Sequence, residues 1–152
     1  MDKLILIDAY AIIYRAYYAF IKSPRINSKG LNTSAILGFC NTLHEILNKE
    51  KPKYVGVAFD PHGPTFRSEA YPEYKAQREK TPEDILIAVP IIQQILEAMH
   101  IPVLIVDGYE ADDIIGTLAS SLLALALPST TPVIVSSNTI SILSHHSFTL
   151  FK

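Results

Sequence analysis

One cysteine, Cys40, stands among 152 residues, and there is no tryptophan. A lone thiol excludes an intrachain disulfide framework and suits a reducing compartment; Cys40 reads as a small core residue on a helix. No apolar run is long enough to cross a membrane. The longest, Leu118 to Leu127, falls short of the roughly 20 residues a spanning helix needs and is stopped by Pro128. The opening residues Met1 to Ile7 are too short an apolar stretch for a signal peptide and carry an acid first, so a cytoplasmic protein with no membrane partner is expected. Excess charge is missing too. A formal net charge of -2 and a pI near 6.2 give the molecule no general attraction to nucleic acid, so any polyanion site has to be local. From Ile114 to Phe151 there is no Asp, Glu, Lys or Arg, although the preceding 113 residues hold 27 of the 28. Soluble domains carry about a quarter charged residues, so this tail is either unusually buried or not selected as a folded surface.

The composition present, 49% hydrophobic and 18% charged, supports one globular domain with a real core. Leu4 to Ile7 is a short, two-sided apolar run ending in Asp8, as in a buried parallel strand. Ala11 to Ile21 reads as a helix, and Thr33 or Ser34 can cap a second helix that ends at Lys51 and Pro52. Tyr54 to Phe59 is another apolar strand, ending in Asp60. Pro61 to Thr81 has no clear period and reads as a long excursion. Thr81 caps a further helix, which Pro90 should kink or split before Ile91 to Met99. Val103 to Val106 is a third strand, Asp107 a turn residue before Gly108, and Glu110 to about Leu125 a helix. Pro132 to Val135 reads as a fourth strand. Strands alternating with helices predict an α/β fold with a mainly parallel central sheet.

Ligands in such sheets bind at the carboxyl ends of the strands. Asp8, Asp60 and the cluster Asp107, Glu110, Asp112 and Asp113 all fall at that edge. Crowded carboxylates repel unless a cation neutralises them, and a hard divalent ion such as Mg²⁺ or Mn²⁺, with its oxygen ligands, is the usual solution. Glu110 and Asp113 share a helix face, with Asp112 about 100° round. Taken alone, acids in a first helical turn merely complement the helix dipole; three acidic strand ends on one rim favour the metal. His44, His62 and His100 are scattered, and His145 and His146 lack zinc-ligand spacing. Gly63 to Pro82 mixes Arg67, Lys75, Arg78 and Lys80 with Phe66, Tyr71 and Tyr74, suited to phosphates and unpaired bases, although Glu69, Glu73 and Glu79 nearly balance its charge. Arg15, Lys22, Arg25 and Lys29 form a second basic stretch with no acid between them.

The segments ILIDAYAIIYRAYYAF, VGVAFDPHGPTFRSEAYPEYKAQREKTPEDI and IPVLIVDGYEADDIIGTLA together resemble the 5′-to-3′ exonuclease domain at the N-terminus of bacterial DNA polymerase I, in the flap endonuclease and PIN-like superfamily. The resemblance spans about Met1 to Ala119. It implies a PIN-like domain over residues 1–127, with an arch at about 61–81, and metal-ion hydrolysis of DNA at 5′ ends or flaps. By motif, Asp8, Asp60, Glu110, Asp112 and Asp113 would hold two Mg²⁺ or Mn²⁺ ions. Tyr74, Lys75 and Arg78 would act at the scissile phosphate, with Arg15, Arg67, Lys75 and Arg78 gripping the DNA. The resemblance fails after the fourth strand. The family carries acids there that complete the metal site, whereas this chain has Asn138 and Ile140, and polymerase domains are absent. A divergent tail over 128–152, a fold incomplete at its C-terminus and impaired turnover are therefore expected. The competing expectations are a fragment that holds metal or DNA without turnover and a protein-interaction module.

Overall fold

The computed structural model describes residues 2–71, 73–74, 80–126, 134–136, 139–141 and 146–151. Strand β1 (Asp2–Asp8) pairs in parallel with β2 (Tyr54–Ala58), placing Asp8 opposite Ala58, and β2 pairs in parallel with β3 (Val103–Leu104). Side chains alternate across a strand. In β1 and the β2 segment, Ile5, Ile7, Val57 and Phe59 therefore enter one core with the helices α1 (Ala9–Ala19), α2 (Ser34–Glu50) and α4 (Glu83–Ala98). Leu6 and Ala58 face the other way, against Ala111, Ile114 and Ile115 of α5 (Ala111–Ala126). This is the mainly parallel, helix-flanked sheet expected from the sequence. Phe39, Ile12, Ile85 and Leu96 are fully buried in the larger core, and each such side chain contributes about 1.5–3 kcal/mol of transfer free energy. α1 and α2 meet closely at Gly38, where an added Cβ would lie 2.4 Å from that of Ala16.

Several local features depart from the sequence expectations. α1 starts at Ala9 rather than Ala11, because the Asp8 carboxylate accepts the Ala11 N–H at 3.1 Å and so caps the helix. Neither Thr33 nor Ser34 caps α2 with its side chain. The Thr33 hydroxyl donates to the Arg25 carbonyl and the Ser34 hydroxyl accepts the Arg25 N–H, both at 2.8 Å, so the two hold the preceding loop. Thr81 likewise accepts the Tyr14 hydroxyl at 2.9 Å, and Pro82 takes the cap position of α4. Pro90 does not split α4, which runs on as a single helix. Pro90 and Leu86 both lie on its exposed side, where water can satisfy the carbonyl that the missing N–H leaves.

Within the excursion after β2, a short helix α3 (Phe66–Ala70) forms. β3 is shorter than expected, since Ile105 and Val106 lie beyond its pairing and are exposed. The stretch expected as a fourth strand overlaps β4 (Ile134–Ser136), but β4 pairs antiparallel with β5 (Thr139–Ser141) as a separate ribbon. The strand beside β1 is instead β6 (His146–Phe151), giving the parallel order β3-β2-β1-β6. The apolar run alone could not decide between these partners. Among the described residues no helix is long and apolar enough to cross a membrane.

Candidate functional site

Asp8 ends β1, Asp60 stands two residues beyond β2, and α5 begins seven residues after the end of β3, so these acids share the carboxyl edge of the sheet. Leu4 and Leu6 of β1 and Ala58 of β2 pack toward α5, and the same parity carries Asp60 to that helix. Its Oδ1 accepts the Ala111 N–H at 2.8 Å across 51 residues of sequence. A strand-end acid thus caps the first turn of α5, satisfying an amide that has no partner within the helix. The same turn closes on itself: the Glu110 N–H donates to Asp113 Oδ2 at 3.0 Å, and the Glu110 carbonyl accepts from the amides of Asp113 and Ile114. Gly108 takes φ +82° in the preceding turn, which suits a residue without a Cβ.

Arg67 supplies the cation. Its guanidinium forks onto Asp113, with Nη1 to Oδ2 at 2.5 Å and Nη2 to Oδ1 at 2.6 Å, and lies 3.8 Å from Glu110 Oε2. The hydrogen bond to Asp113, with the nearby Asp113 and Glu110 charges, pushes the Arg67 pKa further above its already high ordinary value despite partial desolvation. Glu110 is buried, and Tyr74 donates its hydroxyl to Glu110 Oε2 at 3.3 Å. α3 is docked on the same turn: the Phe66 N–H donates to the Gly108 carbonyl at 2.9 Å, and the Phe66 and Tyr109 rings lie 5.5 Å apart. Ser68 accepts the Thr65 N–H, which sets the start of α3.

Asp60, Glu110, Asp113, Arg67 and Tyr74 are therefore joined through α5. Asp8 lies on the neighbouring strand end and is turned to the start of α1, Asp112 is exposed on α5, and Arg15 is exposed on α1. Lys75, Arg78 and Asn138 lie outside the described residues. Among the described residues, no group of three His, Cys, Asp or Glu side chains is arranged to hold a metal ion. Tyr10, which the sequence did not single out, packs edge-on to Phe59 at 6.2 Å, and its phenol is pushed up by burial, by the Asp60 charge and by Tyr14.

Residues 3–139 match the model of the 5'-3' exonuclease N-terminal resolvase-like domain. The chain belongs to this family. It is 48% identical over 121 residues to DNA polymerase I of Treponema pallidum, covering 80% of this chain and 12% of that protein. It is 40% identical to the 5'-3' exonuclease of Aquifex aeolicus, covering 78% of this chain and 40% of the relative. The chain thus spans about an eighth of the polymerase relatives it matches. A phage T5 5'-exonuclease with zinc bound shares the fold at a TM-score of 0.60 and 18% identity, covering 82% of this chain and 46% of that one. A phage T5 flap endonuclease with DNA and metal ions bound superposes at 0.58, also with 18% identity, covering 82% of this chain and 46% of that chain.

Proposed function

We propose that the chain is a metal-dependent nuclease domain acting on DNA 5′ ends or flaps, with Asp8, Asp60, Glu110, Asp112 and Asp113 as the residues that would hold Mg²⁺ or Mn²⁺. The observation that supports it most is the linkage of Asp60, Glu110, Asp113 and Arg67 at the carboxyl edge of a parallel sheet, from segments about 50 residues apart. The donor set suits a hard cation: it is carboxylate oxygen throughout, and the fold already places a positive group against it. A divalent ion bound there would supply positive charge against a phosphodiester and its leaving oxygen. The chain's own residues position the strand. Arg15, Arg67, Lys75 and Arg78 would contact phosphates, and Tyr74, on Glu110, would sit beside the reacting group. The ions and DNA bound by the phage T5 proteins accord with this reading.

A second reading, metal or DNA binding with little turnover, is favoured by Ile140. It replaces an acid expected from the resemblance and sits in β5, opposite Val135. Removing one preorganised electrostatic stabiliser of a transition state typically lowers rates roughly hundred-fold to thousand-fold, and a second ion would be such a stabiliser. A 5′-flap cleavage assay with Mg²⁺ or Mn²⁺ separates the two. Multiple turnovers abolished by Asp113→Asn establish the nuclease; Asp113-dependent cation binding without cleavage establishes the second reading. The absence of both cleavage and Asp113-dependent cation binding overturns the metal site.

A further inference from the structure

Asp113 is heavily engaged. A carboxylate offers about four lone-pair positions, and the two Arg67 N–H groups and the Glu110 amide take three of them. The guanidinium holding two of these is itself well placed: it lies 4.7 Å over the Phe66 ring, on a helix already docked through Phe66 to Gly108. Its side chain stays 32% exposed, whereas those of Asp113 and Glu110 are 18% and 12% exposed. Arg67 is thus the most exposed member of the cluster, and an ion that binds the two carboxylates has to contend with its guanidinium.

We infer that Arg67 is an internal counter-ion, which a divalent cation at Asp113 and Glu110 displaces, so that cation binding turns its guanidinium from carboxylate to nucleic-acid phosphate. This rests on the metal reading above. A fork that engages both Asp113 oxygens and a cation that binds the same oxygens compete for one carboxylate. Planar guanidinium geometry suits phosphate as well as carboxylate, so the released group keeps a use. Phe66 and the Gly108 carbonyl stay in place as the hinge. Arg67 is on this view a positioning residue whose carboxylate-bound state lowers cation affinity.

The test is calorimetric titration of Mn²⁺ into the parent chain, Arg67→Gln, Arg67→Lys and Asp113→Asn, each first shown by circular dichroism to be folded. Arg67→Gln should bind Mn²⁺ about fivefold or more tightly than the parent, because a competing charge is gone, and Arg67→Lys should fall between. The chain has no tryptophan, so Phe66→Trp alone introduces a fluorescent indole beneath the guanidinium. Its emission should change with Mn²⁺ at the calorimetric midpoint, and that change should vanish when Arg67→Gln is added. If the parent binds Mn²⁺ through Asp113 but Arg67→Gln binds equally or less tightly, the counter-ion inference is overturned and the metal site stands. An unmoved indole signal on saturation has the same meaning. If neither parent nor Arg67→Gln shows Asp113-dependent heat, both the inference and the metal site fail.

Discussion

Asp60 has a structural duty that is separable from any chemistry it performs. Its Oδ1 is the acceptor for the Ala111 amide at the start of α5, and losing a helix-cap acceptor costs about 0.5–2 kcal/mol. Asp60→Ala should lower stability in urea denaturation by roughly 1 kcal/mol, whereas Asp60→Asn, which keeps an acceptor oxygen, should lose much less while still removing the charge that the proposed cation would need. Cys40 gives a second residue-scale outcome. Burial pushes its thiol up from its ordinary value, so the reactive thiolate is scarcer than in a free thiol at any pH below that raised value. As the only cysteine, it should label with a thiol reagent many-fold more slowly in the folded chain at pH 8 than in urea. Equal rates would place Cys40 outside the α2 packing. Asp8 and Asp60 were legible because each ended an apolar run, and Glu110, Asp112 and Asp113 because they cluster shortly after a third. Their partners were not: nothing in the local sequence around Arg67 announces Asp113, which lies 46 residues on.

Among the elements, α2 and α4 carry the clearest consequences. Gly38 lets α2 approach α1, and a Cβ there would also come within 3.3 Å of the Ala16 Cα, which is backbone and cannot turn aside. Gly38→Ala should therefore destabilise by about 1–3 kcal/mol despite the better helix propensity of alanine, with a lower melting temperature as the readout. Pro90 is the opposite case. It sits on the exposed side of an unbroken helix, so Pro90→Ala should restore an N–H to the Leu86 carbonyl and raise stability, by up to about 3 kcal/mol. These elements were visible from hydrophobic period, and their boundaries shifted where a side chain found tertiary work. Thr33 and Thr81 both have capping chemistry, yet one holds Arg25 and the other Tyr14. The strand after α5 makes a related point: an apolar run specifies a strand, as at β4, but its neighbour is chosen by the sheet edge it can reach.

For the molecule as a whole, a net charge of -2 means that DNA binding would depend on local cations rather than on the overall field. Affinity for a single-stranded 5′ end should be weak and fall with salt, and Lys75→Ala with Arg78→Ala should flatten the slope of log K against log salt by about 1.4. An unchanged slope in fluorescence anisotropy would remove those residues from the interface. The acid rim has one more consequence, in time rather than space. Its closure depends on pairings between residues 46 and 51 apart, and loops of that length close only after much of the chain has collapsed. The first turn of α5 should thus be among the last parts to lock during refolding. In the native chain the Ala111 amide, held by another segment, should exchange its hydrogen only through openings that part α5 from the end of β2, and so more slowly than a helix-terminal amide left to water.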